Sequence, residues 1–152
     1  MATCRCLTRD DTVDCGARLG ARLGPGDVLL LSGDLGAGKT TFTQGVALGY
    51  GIDAEVTSPS FALIHEYATP DRRLVHFDPY RLPCAGSADD TGWEAYLEAP
   101  VLVVIEWPER LGAATPSPNV RVRIERLEDD TRALTLSTDP ADRITDFADV
   151  WR

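Results

Sequence analysis

Apolar positions along the chain fall into two patterns. Val28-Leu29-Leu30-Leu31 and Val101-Leu102-Val103-Val104-Ile105 are continuous apolar runs of strand length, as expected of parallel strands buried on both faces. Val120, Val122 and Ile124 instead alternate with Arg121, Arg123 and Glu125, which marks a strand with one wet face. Glu128-Asp129-Asp130 makes a turn, and Leu134 and Leu136 mark the return strand of a hairpin. Further strands are predicted near residues 3–7, at 61–67 and at 74–77. Cys15, Leu19 and Leu23 recur every four residues and predict a helix from about Asp10 to Leu23, stopped by Gly24-Pro25-Gly26. A second helix runs from about Lys39 to Leu48 and is closed by Gly49 or Gly51.

The remainder reads as connections. Thr57-Ser58-Pro59-Ser60 is a loop by composition, Pro79 to Asp90 a mobile connection, and Glu94 to Glu98 a short helical turn. Trp107-Pro108 stops the second apolar run, because proline cannot extend a central ladder. Residues 139–152 form a tail that is a short helix or disordered. Strands alternating with helices and then an antiparallel hairpin give an α/β fold with a mixed sheet flanked by helices. At 152 residues the chain is expected to be one domain.

Charge narrows the partners. Fifteen basic against 24 acidic side chains leave a net charge of -9, a surface that repels nucleic acid, so autonomous DNA or RNA binding is not expected. Arg72-Arg73, the only basic doublet, reads as a solvated loop beside Asp71. No apolar run approaches the roughly 20 residues of a membrane span, and the first residues lack a signal-like apolar stretch. Export and membrane insertion are therefore not expected, and the chain is assigned to the cytoplasm.

Cysteine and histidine add little at this level. Cys4 and Cys6 are expected on opposite faces of the first strand and unable to bridge each other. With Cys15 and Cys84 they show no zinc spacing and read as reduced thiols. His65 and His76 lack metalloprotease spacing and read as structural.

One lysine changes the picture. Lys39 is the only lysine in the chain, beside 14 arginines. It lies in Gly33-Asp34-Leu35-Gly36-Ala37-Gly38-Lys39-Thr40, a full match to G-x-x-x-x-G-K-[ST] that chance would supply about once in a thousand. The motif follows a buried strand and opens a helix, where backbone N–H groups and the helix N-terminus can cradle phosphates. Lys39 would reach the β- and γ-phosphates and Thr40 would ligate Mg²⁺. Such a site needs strand-end carboxylates, and two strands end in one: His76-Phe77-Asp78 and Val104-Ile105-Glu106. Either acid alone could be merely solvated; together beside a phosphate loop they read as metal ligand and base. Trp107 is either an aromatic wedge closing the sheet or a contact beside the nucleotide. The hydroxyls of Thr57, Ser58 and Ser60 suit a switch loop that senses a γ-phosphate.

Four blocks together resemble the TsaE family: Gly33 to Phe42 (including Thr41), Thr57-Ser58-Pro59-Ser60-Phe61, His76-Phe77-Asp78-Pro79-Tyr80-Arg81-Leu82 and Ile105-Glu106-Trp107-Pro108-Glu109-Arg110. The resemblance runs from about residue 8 to 137. It implies a P-loop ATPase that acts in making threonylcarbamoyladenosine at position 37 of tRNA, with the TsaB–TsaD pair as partner. It implies ATP and Mg²⁺ as cofactors, Thr40 and Glu106 at the metal, and Asp78 as the acid needed for hydrolysis. Thr12 and Arg132 match family positions near the nucleotide. Ser60 stands where the family usually has Thr, Pro79 replaces a common Leu, and the usual acidic helix is missing from residues 83–90.

Two rival classes remain: a small-molecule P-loop kinase, and a nucleotide-gated adaptor that barely hydrolyses ATP. A Ras-like GTPase is excluded, since its guanine-reading N-K-x-D motif needs a second lysine.

Overall fold

The computed structural model describes residues 1–59, 63–82 and 91–152. Seven strands, β1 (Ala2–Cys6), β2 (Val28–Ser32), β3 (Ile64–Ala68), β4 (Arg73–Phe77), β5 (Leu102–Glu106), β6 (Asn119–Arg126) and β7 (Arg132–Asp139), form one mixed sheet in the order β1-β7-β6-β2-β5-β4-β3. β2 lies parallel to both β5 and β6, and β4 is parallel to β5. The remaining pairings are antiparallel. The strand feeding the phosphate loop is thus central, with the two acid-bearing strands β5 and β4 beyond it on one side.

The sheet's two faces are covered differently. α1 (Arg9–Gly20) and α2 (Lys39–Tyr50) pack on one face, over Leu29, Leu31, Leu74, Leu102 and Val104. The opposite face carries Val28, Leu30, Val75, Phe77, Val103 and Ile105 under Trp93 and Leu111, which project from 3-10 turns at Trp93–Glu98 and Pro108–Ala114. Full burial on both faces explains the unbroken apolar runs of β2 and β5.

α1 and α2 approach at backbone contact. A Cβ added to Gly16 or Gly20 would strike the carbonyl oxygens of Phe42 and Val46, and one added to Gly45 or Gly49 those of Val13 and Ala17. Each helix therefore presents a glycine pair at i and i+4, and the pairs interlock. Thr8 caps α1 in a reciprocal box: its hydroxyl accepts from Asp11 N at 3.1 Å, while the Asp11 carboxylate accepts from Thr8 N, also at 3.1 Å. Cap and interlock together place the first turn of α1 beside the start of α2.

Several expectations are corrected. α1 ends at Gly20, although Leu23 is still buried in the core; α2 continues through Gly49 and stops at Gly51, whose φ is 98°. β3 spans Ile64–Ala68; residues 60–62, where the strand expected at 61–67 begins, lie outside the described set, as do residues 83–90 of the expected mobile connection. The described part of that connection closes a turn, with Leu82 N donating to Pro79 O. The 3-10 turn at Pro108–Ala114 was not predicted. Arg73 is part of β4 and pairs with Glu66 at 2.7 Å, and Arg72 stacks on the Tyr50 ring, so the doublet is not merely a solvated loop. The tail is ordered against the core: Ala141–Phe147 forms a 3-10 turn, Phe147 and Val150 are buried, and Trp151 Nε1 donates to Cys15 O at 3.0 Å. Cys4 and Cys6 are two residues apart on a pleated strand and so share a face, the inward one. Among the described residues no helix is long and apolar enough to cross a membrane.

Candidate functional site

A cavity of about 600 Å³ opens at the carboxyl ends of β2, β4 and β5. Its floor is the phosphate loop. Gly38 adopts φ 111°, a left-handed conformation that turns the chain into α2 without cost only for glycine. No side chain caps α2 and no acid sits in its first turn. Among the described residues no side chain satisfies the orphan N–H groups, and with the positive end of the helix dipole they suit an anion.

Lys39 opens the helix and is 6% exposed. Its ammonium donates to Gly33 O at 2.7 Å and Asp34 O at 2.9 Å and lies 4.1 Å from the centre of the Trp107 ring. Burial lowers its pKa, against the opposing pull of Glu106 and Asp78. Trp107 holds φ 51° at the end of β5, and its ring meets Tyr80 at 4.6 Å between centroids. The tryptophan is therefore both a closing wedge and a wall of the cavity.

Glu106 and Asp78 reach the same space from neighbouring strands. The β4–β5 register pairs Phe77 with Ile105, so the next residue of each strand is an acid. Asp78 is 5% and Glu106 3% exposed. Desolvation pushes the Asp78 carboxyl above its ordinary value, and the Glu106 charge adds to this; the Tyr80 N–H, donating to Asp78 Oδ1 at 2.9 Å, pulls the other way. Two buried carboxylates beside one ammonium leave an excess of negative charge. With the Thr40 hydroxyl on the same wall they form a set of hard oxygen donors suited to a small divalent cation.

His76 was read as structural, but it belongs to this site. It is fully buried, and its Nε2 lies 3.0 Å from Glu106 Oε2. Facing a carboxylate, Nε2 is the donor of this bond, and among the described residues Nδ1 is buried without a hydrogen-bond partner. His76 pairs with Val104 across the ladder, which puts it on the same sheet face as Glu106, two residues further along β5. That parity depends on strand register and could not be seen in sequence.

The other expected residues divide into two groups. Thr12, Leu35, Gly36, Gly38, Thr41 and Arg132 line the cavity, as does Ser58 of the expected switch loop. Gly33, Asp34 and Ala37 stand behind it: Gly33 is packed against Ile124 O, Asp34 turns its carbonyl to Lys39, and Ala37 is buried. Arg132 donates to Ala37 O at 2.7 Å through Nε and approaches Gly36 O at 3.5 Å, so the hairpin clamps the phosphate loop from outside. Thr12 is buried and comes within 4.0 Å of where a Gly38 Cβ would lie. Ser60 lies outside the described residues.

A phosphate-cradling loop after the central strand of a mixed sheet, with acids ending two adjacent strands, defines the P-loop class of α/β folds. Comparison with known proteins narrows the class. Residues 6–134 match the sequence profile of the family described as threonylcarbamoyl adenosine biosynthesis protein TsaE. The tRNA threonylcarbamoyladenosine biosynthesis protein TsaE of Bacillus subtilis is 41% identical over 113 residues, covering 74% of this chain and 70% of that one. Its namesake from Treponema pallidum is 38% identical over 135 residues, covering 88% and 99%. The crystal structure of Bacillus subtilis YdiB superposes with a TM-score of 0.77 at 30% identity, over 97% of this chain and 93% of that one. The chain belongs to the TsaE family.

Proposed function

We propose that the chain is a Mg²⁺-dependent ATPase that works with a TsaB–TsaD pair in forming the threonylcarbamoyl group on adenosine of tRNA. The observation that carries this reading is the convergence of Lys39, Thr40, Asp78 and Glu106 on one cavity at the open N-terminus of α2. The triphosphate would lie along the loop N–H groups, with Lys39 exchanging its two carbonyl contacts for phosphate oxygens. Thr40 and Glu106 would hold Mg²⁺, which supplies neutralisation of the phosphate charge when bound. His76 keeps the Glu106 carboxylate aimed by its 3.0 Å contact.

Asp78 would orient the water that attacks the γ-phosphorus and take up its proton, as the bond to the bridging oxygen breaks and ADP and phosphate leave. Its raised pKa suits that task, because burial makes the carboxylate more basic than a solvated one. Partner dependence would arise at the loop that carries Ser58, a cavity-lining segment that a docked protein could reposition over the γ-phosphate. A net charge of -9 disfavours direct capture of tRNA, so tRNA would be held by the partners.

Mg²⁺ titration of nucleotide binding tests the metal assignment. Glu106→Gln should raise the Mg²⁺ concentration needed while leaving metal-free nucleotide affinity nearly unchanged. An unaltered Mg²⁺ requirement would transfer the metal-facing role to Asp78.

A further inference from the structure

The inward faces of β1 and α1 bring three cysteines together next to the nucleotide cavity. Cys4 Sγ lies 2.7 Å and Cys6 Sγ 3.6 Å from Cys15 Sγ, and all three sulfurs fall within 4.8 Å of one another. Cys6 and Cys15 are buried, while Cys4 is half-buried on the edge strand. We propose that Cys4, Cys6 and Cys15 form a site for a thiophilic d¹⁰ cation, zinc(II) or copper(I), distinct from the oxygen-lined site at Thr40 and Glu106.

The geometry favours a cation over a simple thiol pair. Three sulfurs each about 2.3 Å from one metal stand roughly 3.8–4.0 Å apart. The Cys6–Cys15 separation of 3.6 Å is close to that spacing, the Cys4–Cys15 separation of 2.7 Å is shorter, and a shift of the edge-strand residue Cys4 away from Cys15 completes the triangle. A disulfide would join only two of the three and leave the convergence of the third unexplained. The surroundings point the same way. Desolvation raises the pKa of the Cys15 and Cys6 thiols, and neighbouring sulfurs raise that of Cys15 further. Neutral buried thiols of this kind are poor partners for oxidants. A soft cation reverses the balance: it displaces the thiol protons to solvent and cancels the repulsion between the thiolates. Copper(I) accepts three thiolates alone, and zinc(II) would add a water as fourth ligand.

The site has a structural consequence. Cys4 and Cys6 belong to β1 and Cys15 to α1, and Cys6 and Thr12 both line the nucleotide cavity. A bound cation would tie the edge strand to the helix that forms the cavity wall.

The test uses the full-length chain, reduced and stripped of metal, titrated with cadmium(II) as a spectroscopic probe. A thiolate-to-cadmium charge-transfer band should saturate at one equivalent and survive in Cys84→Ser. Cys4→Ser, a near-isosteric change at a half-buried edge position, should weaken cadmium binding by more than about tenfold, the least that losing even an outer partner costs. Competition with zinc(II) or copper(I) then identifies the preferred cation, and that cation should raise the melting temperature of wild type but not of Cys4→Ser. Absence of the band, or a band lost in Cys84→Ser and kept in Cys4→Ser, would overturn the proposal. So would a reduced chain that takes up no cadmium but yields a Cys4–Cys15 disulfide on treatment with hydrogen peroxide.

Discussion

Lys39 shows how one side chain serves two states. Its ammonium is held by Gly33 O, Asp34 O and the face of Trp107. On the proposed function, each of these would be exchanged for a phosphate oxygen without stranding the charge. Removing it in Lys39→Ala should cost a charge-assisted contact of about 1.5–3 kcal/mol in ATP binding and nearly abolish turnover, read by calorimetry and phosphate release. Asp78 carries the opposite bias. Its folded pKa lies above the unfolded value, so its contribution to stability is complete only below the unfolded value and is lost as pH rises through the folded one. Above the folded value the ionised carboxylate therefore destabilises the chain. Asp78→Asn should melt higher than wild type at pH 7, with the gap narrowing as pH falls into the carboxylate range, and should bind ATP without turning it over. A melting temperature that is lower, or a gap that widens in acid, would contradict the burial account.

Motif chemistry was legible at this scale because the phosphate loop and both strand-end acids are contiguous sequence patterns. His76 and the cysteine cluster were missed for a shared reason. Each depends on which side of a strand a residue faces and on what packs there. Cys4 and Cys6 were misread by parity, and His76 needed the β4–β5 register. The role of Arg132 is similar, since only the folded hairpin brings it to the loop carbonyls.

Among the elements, the strands with continuous apolar runs and the alternating hairpin were recovered to within a few residues. Their patterns follow directly from burial on two faces or one. The glycines were harder to read. Gly49 looked like a helix stop, yet it sits inside α2 against the Ala17 carbonyl, one of four glycines that let α1 and α2 touch. Gly45→Ala should force these helices apart and destabilise the fold by about 1–3 kcal/mol in urea unfolding, although alanine is the better helix former. Because the first turn of α1 walls the cavity, nucleotide affinity should fall as well. A variant as stable as wild type would show that the interlock is loose.

For the whole molecule, strand order was not legible, because β2 is bordered by two strands far from it in sequence, β5 and β6. That order brings three strand ends to one cavity in a chain whose net charge is -9. On the proposed function, this cavity hydrolyses ATP at full rate when a partner is docked against its walls. The most direct test is the steady-state rate of phosphate release from Mg·ATP by the isolated chain, measured beside the same chain with TsaB–TsaD. The account predicts slow release alone and a marked increase with the partners, lost in Asp78→Asn. Equal rates with and without the partners, or undiminished release by Asp78→Asn in the complex, would contradict it.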